Sequence, residues 1–372
     1  MKNSAILLLL KTFSAVLTIL FIASIPAVNP AAAELPHGTF SIVARDADTG
    51  ELGIAVQSRA FNVGQAVPWA EAGVGAIATQ ASTNEAFGPN GLDLLRSGLS
   101  AGETLKWLLA NDEGRENRQV GIVDARGRTA THTGEECLDW AGHRSGKGYS
   151  IQGNILAGEE VVRAMERAFK STRGELAVRL IAALFAAQEA GGDKRGKQSA
   201  AILVVRPSAE FPEYRLRYVD LRVDDHPHPI RELDRLYRIS EGTDLAEAHI
   251  RYIDWYASTG QEGLRKKELN RLGDAIRRAV EAENPNASAL NGLAWTVATY
   301  GTHLPEALQA AEIAVRLEPD SWEVLDTLAE VHFRLGDRQK AIEVERRAAR
   351  MAPDISYLQD QITRFQEEPI PE

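Results

Sequence analysis

From residue 39 the chain alternates apolar or small residues with polar ones over two runs, TFSIVARD and ELGIAVQS, separated by DADTG. β-Branched and small apolar residues at a period of two mark strands, and an Asp-Thr-Gly cluster is turn chemistry, so the stretch predicts a hairpin. On its first strand the alternation puts Thr39, Ser41 and Val43 on one face and Phe40, Ile42 and Ala44 on the other. VGAIATQA reads as a third strand, followed by two helices. The second helix opens at Ser100, whose hydroxyl can cap it while Glu103 reaches back. RQVGIVDARGRTATHTG predicts a hairpin turning at Arg126-Gly127, and YSIQGNI a short strand. EEVVRAMERAFKS and GELAVRLIAALFAAQEAGG predict helices, the latter entered through Thr172 and Glu175 and stopped by Gly191-Gly192. SAAILVVRP and YRLRYVDLRV close the region as strands. Blocks in the order strands, helices, strands, helices, strands suit antiparallel sheets with helices packed on them, an α+β arrangement, better than alternating parallel units.

The texture changes at VDDHPHPI, where two prolines alternate with histidines and break regular structure. From Pro229 onward the pattern is helical. Pro285, Pro319 and Pro353 recur at a spacing of 34, in ENPN, LEPD and MAPD. Ala307 matches Ala341 and Ala314 matches Ala348 at the same offset. That period is one helix-turn-helix unit of a tetratricopeptide array, with small residues where paired helices approach. In LGDRQKAIE, Gly336 ends one helix and Asp337 opens the next. We expect two such repeats over residues 285–353, a helical packing segment over 229–284, and a C-terminal helix or tail over 354–372.

Composition adds compartment and partner class. Lys2 and Lys11 flank or precede the apolar run TFSAVLTILFIASI, and NPAAAEL offers an Ala31-x-Ala33 cleavage site before Glu34. Residues 1–33 therefore read as an export signal, the run being short for a spanning helix. The expectation is a periplasmic or secreted protein with no stable membrane anchor. A formal net charge of −10 argues against a general nucleic-acid surface. The single cysteine, Cys137, excludes a disulfide framework and reads as a small buried hydrophobe.

The chain has no phosphate-binding Gly-x-x-x-x-Gly-Lys loop, no His-Glu-x-x-His helix and no Gly-x-Ser-x-Gly elbow. Asp224, Asp225, His226 and His228 cluster in HPHP, which reads as a proline-stiffened linker; neither metal nor cofactor is expected. The Gly38-Thr39 step is the chemical candidate. An internal threonine hydroxyl is a poor nucleophile. Cutting the bond before it frees an α-amine of pKa about 7.7–8.0, which can take the hydroxyl proton.

TFSIVARDADTGELGIAVQS, VPWAEAGVGAIATQA, GPNGLDLL, HTGEECLDWAGHRSGKGYSIQGNILAG, GGDKRGKQSAAILVV and VDDHPHPIRELDRLY resemble the domain-of-unknown-function family 1028, over about Thr39 to His228. The resemblance implies an N-terminal-nucleophile-hydrolase-like fold, a four-layer αββα sandwich over residues 34–228. It also implies amide-bond chemistry with Thr39 as nucleophile. AVQSRAF is similar to the end of the second strand in proteasome-type subunits, with Gln57 standing where that comparison has an aspartate. No lysine lies between Lys11 and Lys106. Substrate-binding candidates are Ser41, Ser58, Thr79, Gln80, Asn154, Asp193 and Arg195. Asn154 is suited to an oxyanion, and Arg195 to a carboxylate. The expected function is an exported hydrolase of a small amide or peptide-like compound, with the repeats meeting a protein partner. The alternative is a non-catalytic small-molecule-binding or scaffold protein on the same fold.

Overall fold

The computed structural model describes residues 38–208 and 210–370; the expected export segment and its cleavage site lie outside them. The first hairpin forms as its alternation requires. β1 (Thr39–Arg45) pairs antiparallel with β2 (Leu52–Ser58), from Thr39 opposite Ser58 to Arg45 opposite Leu52. A helical turn α1 (Val63–Ala66) leads to β3 (Pro68–Glu71) and β4 (Gly75–Ala81), then α2 (Phe87–Arg96) and α3 (Ala101–Ala110). There follow β5 (Arg118–Asp124), β6 (Thr129–Thr133), β7 (Gly142–Gly146), β8 (Tyr149–Asn154), α4 (Glu160–Ser171), α5 (Leu176–Glu189), β9 (Ser199–Val205) and β10 (Arg217–Val223).

The strands make two antiparallel sheets, in the orders β10-β9-β2-β1-β8-β7 and β3-β4-β5-β6. Alternation then buries both faces of each sheet. Val43, Ile54 and Val56 of the larger sheet meet Ala76, Ala78 and Val123 of the smaller. Phe40, Ile42 and Ile202 face α4 and α5, while Ile77, Val120 and Ile122 face α2 and α3. Each sheet thus carries helices on its outer side and the other sheet on its inner side.

Local signals act where expected at Ser100: its hydroxyl accepts from the Glu103 amide at 3.3 Å, and Glu103 accepts from the Ser100 amide at 2.8 Å. At α5 they do not. Glu175 is the N-cap residue but makes no cap bond, and its carboxylate instead accepts from the Tyr218 hydroxyl at 3.1 Å. β3 and β7 are additions to the expected strands; one starts on a proline and the other is Gly-His-Arg-Ser-Gly, both poor in strand-forming residues.

After β10 come α6 (Pro229–Glu241), α7 (Asp244–Ser258), α8 (Glu262–Val280), α9 (Ala287–Thr299), α10 (Leu304–Leu317), α11 (Trp322–Arg334), α12 (Arg338–Met351) and α13 (Ser356–Glu367). α10 and α12 start and end at matching points of the 34-residue period, and Ala307, Ala314, Ala341 and Ala348 are fully buried. Gly336 turns the chain with φ at 90°, and Asp337 caps α12 by accepting from the Lys340 amide at 3.1 Å. α6 and α7 join the sheet core, Leu233, Tyr237, Leu245 and Tyr252 packing with Ile202, Val204 and Val219.

A charged seam ties α7 and α8 to the sheet. Arg206, just past β9, donates two hydrogen bonds to Glu268 at 2.8 and 2.6 Å and lies over the Tyr252 ring at 3.7 Å. Arg271 donates to Glu51 at 2.7 Å, and His249 is bonded to Glu268 at 2.6 Å. All of these residues are buried. A bidentate arginine fork satisfies a carboxylate that could not otherwise be buried.

Candidate functional site

Thr39 begins β1 and is 2% exposed. β1 is flanked by β2 and β8, so Thr39 has Ser58 on one side and Asn154 on the other. Ser58 donates to the Gly38 carbonyl at 2.5 Å and is 3.0 Å from the Thr39 hydroxyl. A serine has one proton to give, so in the second bond Thr39 donates and Ser58 accepts. The Arg195 guanidinium donates to the same Gly38 carbonyl at 2.8 Å. The bond between Gly38 and Thr39 therefore has its carbonyl held by a hydroxyl and a cation, with the threonine oxygen beside it.

The loop after α5 supplies that cation. Gly191 and Gly192 end α5 with φ at 108° and 55°, and Asp193 then bridges to Leu156 just past β8. Asp193 is 3% exposed. Its carboxylate accepts from the Arg59 amide at 3.1 Å, the Arg195 amide at 2.9 Å and the Arg195 side chain at 2.8 Å. A Cβ on Gly38 would sit 2.7 Å from Asp193 Oδ1, so a larger residue before Thr39 would displace that carboxylate. Gln57 lies on the other face of β2, with Phe40 and Ala200 as its cross-strand neighbours. The acid and the cation that meet Gly38 thus come from a loop more than a hundred residues later.

Inward from Thr39 the sheets meet through neutral polar groups. Ser150 donates to Gln152 at 2.8 Å, Gln152 to Ser41 at 2.6 Å, and Ser41 to Gln80 at 2.6 Å. Gln80 donates to Gln119 at 2.8 Å, and Gln119 to the Gly153 carbonyl at 2.8 Å. Asn154 also donates to Gln119, at 3.0 Å. All six side chains are at most 1% exposed. Gly121 makes room, since a Cβ there would lie 2.2 Å from Gln152 Oε1.

Of the candidates read from the sequence, Thr39, Ser41, Ser58, Gln80, Asn154, Asp193 and Arg195 share this end of the sandwich. Thr79 does not join them: it faces α2 and donates to the Asn84 carbonyl at 3.2 Å. Gln119 and Gln152 were not among the candidates. Their signal was a polar side chain alternating with Val120 and Ile122, or with Ile151, on strands that are covered on both faces. Cys137 is half-buried and its thiol donates to the Arg118 carbonyl at 3.4 Å. Burial pushes that thiol above its ordinary pKa, away from the reactive thiolate. Among the described residues no group of three or more His, Cys, Asp or Glu side chains converges to hold a metal ion, and no helix is long and apolar enough to cross a membrane.

The family model for DUF1028, a family of unknown function, matches residues 39–233, from the first residue of β1 into α6. Among solved structures the chain is similar to protein SPO2555 from Silicibacter pomeroyi, described as a match to the same family model. The identity is 34% and the TM-score 0.51, over 56% of this chain and 88% of that one. It is also similar to MamA AMB-1, at 16% identity and a TM-score of 0.24 over 37% of this chain and 82% of that one, too slight a likeness to bear on the fold. No curated protein matches the chain.

Proposed function

The chain belongs to the DUF1028 family, and from that premise we propose that it is an N-terminal-nucleophile-type amide hydrolase whose nucleophile is Thr39, freed by scission of the Gly38–Thr39 bond. One observation carries this reading: the Gly38 carbonyl accepts from both Ser58 and Arg195 while the Thr39 hydroxyl is bonded to Ser58. When the threonine oxygen attacks that carbonyl carbon, negative charge develops where two donors already point. The hydroxyl proton has an acceptor in Ser58. The C–N bond then breaks, Ser58 relays that proton to the nitrogen, and an ester joins Gly38 to the Thr39 oxygen. Water hydrolyses the ester, leaving a Gly38 carboxylate and a threonine with a free α-amine. That amine, of pKa about 7.7–8.0, serves as base for its own hydroxyl. A substrate amide placed with its carbonyl where that of Gly38 had been meets the same donors and is cut into acid and amine.

Antiparallel sheets packed face to face under helices support an αββα sandwich of the N-terminal-nucleophile type. The 34-residue spacing and the matching α10 and α12 support tetratricopeptide-type repeats that meet a protein partner. The leader pattern at residues 1–33 supports export to the periplasm or beyond. N-terminal sequencing and intact mass of the purified protein test the chemistry. The expected mature chain begins at Thr39; Thr39→Ala keeps Gly38 and hydrolyses nothing, and Thr39→Ser still processes. A mature wild-type chain that always retains Gly38 overturns it. A second reading, a non-catalytic binder on the same fold, is favoured by the tie between Asp193 and Arg195, which leaves that acid already engaged. Retained Gly38 together with a co-purified small molecule would support it.

A further inference from the structure

The rim beside Thr39 is unusual in its charge. The chain holds ten more acids than bases, and exposed arginines such as Arg96, Arg163 and Arg235 each have a carboxylate partner. Around the start of β1 the pattern reverses. The loop from Asp193 carries Lys194, Arg195 and Lys197, and Arg59 leaves β2 alongside it, its Cδ 3.6 Å from where a Cβ on Gly196 would be. Three of these cations turn to groups other than carboxylates. Arg59 donates to the Gln198 side-chain oxygen, Lys194 to the Asp139 backbone carbonyl at 3.1 Å, and Lys197 Nζ lies 3.3 Å from His228 Nδ1. The acid in their midst, Asp193, is buried and bonded to Arg195. Asp224 and Asp225, on the neighbouring linker, make no ion pair with any of them among the described residues.

We infer that the Thr39 site takes an anionic amide, one carrying a carboxylate or similar acidic group close to the amide bond. Cations that meet no carboxylate keep most of their field, and an acidic ligand supplies the counter-charge they lack. Lys194 is anchored next to the end of β8, its amide donating to the Ile155 carbonyl at 2.9 Å, and Arg59 follows the end of β2, so the two residues lie next to the ends of the two strands that flank Thr39. An acidic group on either side of the cut bond would therefore meet a cation. This inference rests on the proposed site, but not on its chemistry.

Binding is the test, measured by calorimetry on the full protein, with N-acetyl and N-benzoyl derivatives of glycine and glutamate against the same compounds with every carboxylate converted to carboxamide. The carboxylates are expected to bind about tenfold or more tightly, with the advantage shrinking as salt rises. Arg59→Glu or Lys194→Glu, both exposed changes, should erase it, while Arg173→Glu, on the loop between α4 and α5, should not. Equal affinities, a preference that survives both reversals, or no measurable binding of any carboxylate at millimolar concentration overturns the inference. Hydrolysis is followed separately. Selective binding without turnover removes the proposed catalysis and keeps the charge preference, whereas equal turnover of both sets does the reverse.

Discussion

Two buried polar regions of this protein are built by opposite means. Beneath Thr39 the sheets meet through serines, glutamines and an asparagine joined in one chain of hydrogen bonds, Ser41, Gln80, Gln119 and Gln152 each both giving and taking. Where α7 and α8 meet the larger sheet, the groups are full charges: Arg206 and Arg271 against Glu51 and Glu268, with His249 alongside. Neutral networks satisfy buried groups at a modest desolvation cost and leave a hydroxyl's reactivity to its neighbours. Buried ion pairs cost more to desolvate but punish any displacement, because a shifted partner leaves a bare charge in a low dielectric. The charged seam therefore fixes where the helices sit. The neutral network packs the sheets behind Thr39, the nucleophile we propose.

The sharpest way to break this contrast is to remove one member of the seam. Arg206→Met leaves Glu268 buried without its bidentate partner and Glu51 with Arg271 as its remaining cation. We expect a loss of about 3–5 kcal/mol in denaturant-induced unfolding. Arg206→Met combined with Glu268→Met should regain most of that, since apolar replacements of a whole pair are often tolerated. A single-variant loss below about 1 kcal/mol would mean that the seam is solvated and the distinction empty.

Acidity separates the regions next, because only one of them holds ionisable groups. Next to the seam, at the end of α6, burial pushes Glu241 up to about 7; Arg278 of α8, paired with it, offsets part of the rise, and Glu175 adds to it. Between its ordinary value of 4.5 and about 7, the folded state keeps a proton that the unfolded state has lost, so stability falls as pH rises through that window. Burial also works against ionised Glu268, but Arg206 and His249 outweigh it and hold that carboxyl well below its ordinary range. Its contribution is complete above about 4.5 and is lost as pH falls. Thermal melts across pH should therefore show a maximum near the ordinary carboxylate pKa. The upper limb should drop by on the order of 3 kcal/mol and be flattened by Glu241→Gln. An upper limb unchanged in Glu241→Gln would assign the slope elsewhere.

The two regions also differ in how far the sequence discloses them. The hairpin of β1 and β2 is legible because its alternation, its turn and its register all agree, and the same local consistency exposes the Ser100 cap and the turn at Gly127. Asp193 and Arg195 were legible as a glycine-rich loop rich in polar side chains. Their meeting with Gly38, some 155 positions earlier, depends on the order of the strands and not on any local pattern. Gln119 and Gln152 look solvent-facing in a strand pattern, and only the second sheet makes their face an interior one. The seam was hidden for a like reason. Glu175 reads as a helix cap, and nothing in the local pattern marks Arg206, Glu268 or Glu51 before packing brings three distant segments together.

A pair of matched substitutions tests the neutral network at the smallest scale. Gln119 and Gln57 are both fully buried glutamines in the same sandwich. Gln119 accepts from Gln80 and Asn154 and donates to the Gly153 carbonyl. Replacing it with leucine leaves those groups unpaired, at a cost of about 1–3 kcal/mol. Gln57 points to the helix side, beside Phe40 and Ala200, and among the described residues neither end of its amide has a hydrogen-bond partner. Leucine there removes two unsatisfied polar atoms and orphans nothing. Gln57→Leu should be neutral or raise stability by roughly 1 kcal/mol. Opposite signs for one chemical change would show that partnership, not polarity, sets the cost of these groups. A loss at Gln57 similar to that at Gln119 would mean that its amide is engaged by something other than protein atoms, making the helix side of β2 a second polar pocket.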